Sequence, residues 1–122
     1  MSDQRRKALM HAYKETPRPA GIFRVRHLAS GRSLVGATLD VRGMLNRQRF
    51  QLVHGSHPDI ALQGDWDTFG ASAFAFDVLD ELKPQQEGEH DPATELRVLQ
   101  ALWAEQLAAS EAPLYPSSWH GR

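Results

Sequence analysis

The sequence of 122 residues contains no cysteine. Disulfide bonds, thiol nucleophiles and cysteine-ligated metal sites are therefore excluded. The chain also lacks any run of about 18 apolar residues, so no membrane-spanning helix is expected. Its first residues, MSDQRRKALMHAYK, are too polar for a secretory signal peptide. We expect a cytoplasmic location and no membrane partner.

Several familiar catalytic and ligand-binding motifs are absent as well. The sequence has no GxSxG, phosphate-binding loop, GxGxxG or HExxH pattern. His54 and His57 are three residues apart, but Gly55 and Pro58 interrupt any helix between them. Two imidazoles without a third fixed ligand rarely hold zinc, so we interpret the pair as part of a polar loop and predict no metal site.

The charge of the chain is unevenly distributed, although the formal net charge is only -1. Residues 1–55 contain 11 Lys and Arg against 3 Asp and Glu, a balance of +8, whereas residues 56–122 contain 3 against 12, a balance of -9. A basic half favours contact with phosphate backbones, and an acidic half opposes it. The alternative is that two oppositely charged, solvated faces attract each other across the fold.

The first third of the chain predicts a helix followed by a β-hairpin. Apolar spacing over residues 3–14 predicts a basic helix, which the prolines after it end. Residues 21–27 and 33–38 alternate between two faces, which is typical of paired strands. Gly31 lies between them, where a turn needs a residue that tolerates positive φ.

Helix caps and apolar periodicity predict the remaining elements. They are a helix from Thr38 or Asp40 to about His54, a helix from Pro58 to Gly70, a strand over 73–79 and a helix from Asp91 to about Ala108. Two prolines in the last stretch predict a C-terminal tail, residues 109–122, that runs over the surface. The whole chain is interpreted as one α+β domain, with a core of about residues 20–108 and a small three-stranded antiparallel sheet flanked by helices.

The hairpin GIFRVRHLASGRSLVG resembles the paired motifs of the GIY-YIG nuclease family, in which a Gly-Ile-aromatic strand precedes an aliphatic-aliphatic-glycine strand. The segments LNRQRFQLVHGSHPDIALQGDWDTFGASAFAFDVLDELK and LRVLQALWAEQL are similar to later parts of a bacterial branch of that family, so the resemblance covers roughly residues 5 to 107. It implies a three-stranded antiparallel sheet among helices. It also implies hydrolysis of a DNA phosphodiester by hairpin tyrosines, an arginine and a glutamate that holds a divalent metal such as magnesium.

The chemical positions that the resemblance implies are occupied by other residue types. In chain order these positions hold Phe23, Leu34, Met44, Gln48 and Gln100. Phe23 has no hydroxyl, and Gln100 offers magnesium a neutral amide where the family has a carboxylate. We therefore expect no catalytic residues and no cofactor, with Mg²⁺ needed only if displaced residues restore the nuclease.

Six arginines on the hairpin and the helix that follows it are the predicted nucleic-acid contacts. They are Arg24, Arg26, Arg32, Arg42, Arg47 and Arg49. The leading hypothesis is a non-catalytic, GIY-YIG-like binding module for DNA, RNA or a protein. One alternative is an active metal-dependent endonuclease that uses displaced residues, for which Arg47 reaches the side of Met44 whereas Glu95 and Glu105 lie on a different helix face from Gln100.

A third hypothesis is a protein-interaction domain unrelated to nucleic acid, which includes self-association. It rests on Leu34 and Met44, which we expect to expose apolar surface in the former cleft. The hypotheses differ most clearly in what the cleft contains, because a basic cleft suits phosphates and an apolar cleft suits a protein partner.

Overall fold

The computed structural model of the chain describes residues 18–82 and 91–119. Its strands are β1 (Gly21–His27), β2 (Ser33–Thr38) and β3 (Phe74–Glu81), and its helices are α1 (Val41–Val53), α2 (Ile60–Phe69) and α3 (Pro92–Ala109). One turn of 3-10 helix, Ala71–Ala73, leads into β3. The element order and the α+β class agree with the sequence prediction, whereas the helix predicted over residues 3–14 lies outside the described residues.

The three strands form one antiparallel sheet with β1 in the centre, in the order β2-β1-β3. Val25 of β1 lies opposite Leu34 of β2 and opposite Phe76 of β3. Gly31 has a φ of 73° in the turn between β1 and β2, as its position in the sequence predicted. An irregularity at Ile22 and Phe23 shifts the register of β3 against β1.

Each helix begins at an aspartate whose side chain accepts a backbone hydrogen bond. Asp40 accepts from Gly43 N, Asp59 from Leu62 N, and Asp91 from Ala93 N. Gly70 ends α2 with a φ of 82°, a conformation that few other residues adopt. The predicted boundaries therefore hold to within one or two residues. Within the described ranges, no helix has both the length and the apolar character needed to cross a membrane.

The sheet separates two apolar clusters because successive side chains of a strand point to opposite faces. The first cluster lies between the sheet and helices α1 and α2, and its buried members are Phe23, Val25, Leu34, Val41, Leu52, Leu62, Trp66, Phe74 and Tyr115. The second cluster lies beneath α3, with Ala20, Ile22, Val35 and Leu96 buried in it. Leu99, Trp103 and Leu107, spaced four residues apart along α3, pack against the second cluster.

The C-terminal segment is the main departure from the predicted fold, because it belongs to the core. Tyr115 is 1% exposed, and Leu114 forms a parallel bridge with Ser33. The amide of Tyr115 donates to Ser33 O at 2.7 Å, and the amide of Trp119 donates to Val35 O at 2.7 Å. The prediction of a surface tail over residues 109–122 was wrong for these residues, because the segment supplies donors to the outer edge of β2.

Candidate functional site

The two hairpin positions of the nuclease family lie inside the first cluster. Phe23 and Leu34 are each 4% exposed, and Met44 of α1 packs against the same cluster. A Cβ atom added at Gly36 would lie 2.7 Å from Phe23 Cε1, so the phenyl ring occupies the space over this glycine. Leu34 and Met44 were predicted to expose apolar surface in a cleft. The prediction was wrong for Leu34, which is buried in the core, whereas Met44 is half-buried and keeps part of its surface exposed.

Gln48, the fourth family position, is buried beside Met44 in a network of hydrogen bonds. Its Nε2 donates to Met44 Sδ at 3.4 Å, and its Oε1 bonds to His57 Nε2. The structure therefore brings four of the five positions together. Their groups are a phenyl ring, an aliphatic chain, a thioether and an amide that is already hydrogen-bonded at both ends, and none of them carries a charge.

Gln100, the fifth family position, lies on α3, whose apolar side packs against the second cluster on the opposite face of the sheet. Its amide oxygen is neutral, whereas magnesium prefers carboxylate ligands. Within residues 18–82 and 91–119, no group of three or more histidine, aspartate or glutamate side chains is arranged to hold a metal ion. The residues at the family positions therefore do not fit the divalent ion that the resemblance implies.

His57 is a functional candidate that sequence reasoning missed. Its side chain is 6% exposed, and its Nδ1 accepts from Asp59 N at 2.9 Å. Since Nδ1 accepts, Nε2 carries the proton and donates to Gln48 Oε1. Burial lowers the pKa of His57, and the nearby Asp59 carboxylate opposes this effect only in part. Both histidines lie in the polar segment between α1 and α2, as predicted, but His54 is exposed whereas His57 is buried, which the sequence did not indicate.

Asp59 connects this network to the C-terminal segment. One carboxylate oxygen caps α2 through Leu62 N at 3.0 Å, and the other accepts from Ser117 N at 2.9 Å. Burial on its own would raise the pKa of Asp59, but the hydrogen bonds from Ser117 and Leu62 lower it overall. The run His-Pro-Asp ahead of a helix was the available sequence signal, because an aspartate there is a typical cap.

Gln63 completes the network from the first turns of α2. Its Oε1 accepts from His57 N at 3.0 Å, while its Nε2 donates to Leu52 O at 3.0 Å and to Asp67 Oδ1 at 2.9 Å. The network therefore joins the end of α1, the loop before α2 and α2 itself. A polar cluster whose groups are already paired is suited to fixing these elements, and it leaves little capacity for a ligand.

The two arginines of β1 face away from α1. Arg24 and Arg26 alternate with Phe23 along β1 and point to the face that α3 covers, a separation that the alternation in the sequence already indicated. Two guanidinium nitrogens of Arg24 donate to Asp77 Oδ2, at 2.9 and 3.2 Å. Arg26 Nε is buried without a hydrogen-bond partner among the described residues, and the Arg32 guanidinium lies 4.5 Å from the centre of the Tyr115 ring.

The other three predicted arginines lie on the exposed side of α1. Arg42 approaches Glu81 Oε1 at 3.5 Å, Arg49 lies 4.4 Å from the centre of the Phe76 ring, and Arg47 is exposed. The six arginines therefore do not form one surface, because the sheet separates the β1 pair from the α1 group. Of the predicted set, the basic surface next to the nuclease-family positions consists of the α1 arginines.

Comparisons with known proteins support the fold. No protein-family model matches the sequence, and the search of curated proteins finds no match. Two solved structures are similar: a mutant of the catalytic domain of intron endonuclease I-TevI, with a TM-score of 0.58, and the catalytic domain of homing endonuclease I-TevI, with a TM-score of 0.57. Both are 19% identical in sequence to this chain. The alignments cover 82% and 77% of this chain, respectively, and 94% of each neighbour's chain. The likeness confirms the predicted GIY-YIG-like fold.

Proposed function

We propose that this chain is a GIY-YIG-fold domain that binds nucleic acid without hydrolysing it. The proposal rests on the burial and hydrogen bonding of the residues at the family positions. Phe23 and Leu34 are core residues, and Gln48 forms hydrogen bonds with Met44 and His57. A ring without a hydroxyl, buried side chains and an amide that is already hydrogen-bonded through both its nitrogen and its oxygen leave no good base for water and no cation for a phosphate at this place.

Hydrolysis of a phosphodiester needs a base for the attacking water, a cation for the charge that develops on the phosphate, and in this family a metal ligand. Met44 stands where the resemblance implies the arginine, and Gln100 stands where it implies the glutamate. The loss of one such stabilising group typically costs about 100- to 1,000-fold in rate. The loss of several at once supports a domain that retains the scaffold without the reaction.

Nucleic acid is the proposed partner because of the charge on α1. This helix contains Arg42, Arg47 and Arg49 and has no acidic residue. Exposed guanidinium groups pair with phosphate oxygens, and such contacts supply most sequence-independent affinity for nucleic acid. The two solved structures that share the fold are described as endonucleases, which supports the same class of partner. We include a location in the bacterial cytoplasm in this proposal.

Two measurements on the full chain test this proposal. A labelled DNA duplex incubated with protein and Mg²⁺ is expected to remain intact, and gel shifts at increasing salt are expected to show binding that weakens with ionic strength. Arg47→Gln should reduce the salt dependence, and Arg97→Gln on α3 serves as the matched control. Magnesium-dependent cleavage that Gln100→Ala abolishes would overturn the non-catalytic assignment. Absence of binding at low salt to both a duplex and a single strand would remove nucleic acid as the partner.

A second candidate function, a protein-interaction domain, is favoured by α3. Val98 and Leu102 are four residues apart on this helix and are 59% and 57% exposed. An apolar pair on the outer side of a helix is a typical contact for another protein or for a second copy of the chain. Size-exclusion chromatography with light scattering tests self-association, which Leu102→Lys should abolish if the pair forms the contact.

A further inference from the structure

The outer side of α1 places aromatic rings between arginines on both flanks. At about 100° per residue, Asn46, Phe50 and His54 form one row along the middle of the exposed side. Arg42 and Arg49 lie on one flank of this row, and Arg47 lies on the other. We call this surface, from Arg42 to His54, the α1 outer face. The thirteen residues of α1 include no carboxylate, so its charge is uniformly positive.

Phe50 and His54 form a stacked pair on this face. Their ring centres are 4.1 Å apart and their planes differ by 27°. His54 Nδ1 bonds to Phe50 O at 2.8 Å, and since a carbonyl only accepts, Nδ1 carries the proton. Phe50 is 62% exposed and lies outside both apolar clusters of the described residues. The fold therefore gains little from a phenylalanine here, while its ring is held in a defined orientation.

We propose that the α1 outer face binds single-stranded nucleic acid, with a base stacked on Phe50 and phosphates paired with Arg47 and Arg49. This inference rests on the proposed function and specifies the form of nucleic acid. In a duplex the bases already stack on each other, so an outward ring gains no base contact there. In a single strand every base offers an open face, and aromatic side chains beside arginines are the usual means of binding it.

The charge of the face favours nucleic acid over a protein partner. Arg42 keeps a side chain that is 75% exposed even with Glu81 at 3.5 Å, so its cation remains available to a phosphate. A protein partner that covered Phe50 would also have to neutralise or desolvate the arginines on both flanks, at considerable cost. A phosphate backbone supplies negative charge at every nucleotide, which suits arginines on both sides of a ring.

The experiment uses fluorescence anisotropy with the full chain, a labelled oligothymidine of about 20 nucleotides and a duplex of similar length. Phe50→Ala should weaken binding to the single strand about tenfold and leave binding to the duplex unchanged. Phe50→Trp should preserve the affinity for the single strand, whereas Phe50→Leu, which remains apolar but has no ring, should lose it. Leu28→Ala in the turn between β1 and β2, at a similar exposure of 51%, is the matched control and should change neither affinity.

Arg47→Gln should reduce the slope of the logarithm of affinity against the logarithm of salt concentration by about one unit. If the chain binds nucleic acid but Phe50→Ala and Phe50→Leu retain full affinity, or if the duplex binds as tightly as the single strand, this inference is overturned and the proposed function stands. Failure to bind either probe at low salt overturns both. Self-association that Phe50→Ala abolishes would instead identify the face as a protein contact.

Discussion

The phenyl ring of Phe23 lies against the backbone of Gly36 on the neighbouring strand, where Phe23 Cε1 and Cζ would be 2.7 and 2.8 Å from an added Cβ atom. The two residues face each other in the β1–β2 pairing. Since both belong to the hairpin that resembles the nuclease motifs, the glycine of the second motif has a structural role here: it makes room for the aromatic residue of the first.

We predict that Gly36→Ala destabilises the protein by about 1 to 3 kcal/mol, because the added methyl group forces a buried ring to move. Urea unfolding followed by tryptophan fluorescence measures the effect. Gly64→Ala is the matched control: a Cβ atom there meets nothing within 4 Å, and alanine in α2 should stabilise by about 0.5 to 1 kcal/mol. Equal stability of the two variants would contradict the packing of Phe23 over Gly36.

The sequence contained enough local information to predict most of the fold. Strand alternation, the turn at Gly31 and the caps at Asp40 and Asp91 depend on residues close together in the chain, and these predictions were confirmed. The C-terminal segment was mispredicted because its burial depends on β2, about 80 residues earlier in the chain. Tyr115 lies between two prolines, a pattern that indicates a loop and says nothing about what the loop covers.

The candidate site was less predictable for the same reason. The family positions were identified from the hairpin and helix motifs, but whether their side chains line a cleft depends on packing. Leu34 is buried within the first cluster. His57 is buried because Gln48 of α1 and Gln63 of α2 both form hydrogen bonds with it. The arginine count predicted a basic surface, while the position of β1 in the centre of the sheet divides that surface in two.

Tyr115 should contribute strongly to stability although it lies near the end of the chain. Its hydroxyl donates to Asp65 Oδ2 at 2.6 Å, so Tyr115→Phe should cost about 1.5 to 3 kcal/mol, the usual value for a hydrogen bond to a charged group. Tyr115→Ala also removes the buried ring and should cost about 3 to 5 kcal/mol. Urea unfolding measures both. A loss of stability near zero for Tyr115→Ala would instead support the surface tail that the sequence predicted.

Arg24 and Arg26 offer a comparison within one strand. Arg24 pairs with Asp77, and both side chains are partly exposed, so Arg24→Met should cost only about 1 kcal/mol. Arg26 Nε is buried without a hydrogen bond among the described residues, so Arg26→Met should change stability by less than about 0.5 kcal/mol or increase it. Thermal unfolding of the two variants tests this order. A larger loss for Arg26→Met would show that its guanidinium has a stabilising partner.

Substitution of Arg24 or Arg26 should not affect binding to nucleic acid, because both side chains face the α3 side of the sheet. Arg24→Gln is therefore expected to leave both the affinity and its salt dependence unchanged, while Arg47→Gln on α1 reduces them. Anisotropy titrations at several salt concentrations compare the two variants directly. A reduced salt dependence for Arg24→Gln would place the bound strand on the opposite face from the one proposed.

His57 should make the stability of the protein fall as the pH drops below about 6.5, the ordinary pKa of histidine. Burial lowers its pKa in the folded state, while the unfolded chain protonates near the ordinary value of about 6.5. The contribution of the neutral imidazole is therefore fully present above about pH 6.5 and is lost as the pH falls toward the lower pKa of the folded state. Protonation of Nδ1 would also remove the acceptor for Asp59 N.

We predict that His57→Gln flattens the fall in urea midpoint over this range, even though the variant is less stable at neutral pH. Asp59 does not contribute to the fall in this range. Because its pKa is lowered in the folded state, its contribution to stability is lost only below about pH 4. His54→Gln is the matched control, because it replaces an exposed histidine outside the buried network around Gln48. If His57→Gln shows the same fall as the unmodified chain, then His57 is protonated in the folded state as easily as in solvent, and the buried network around Gln48 does not hold it neutral.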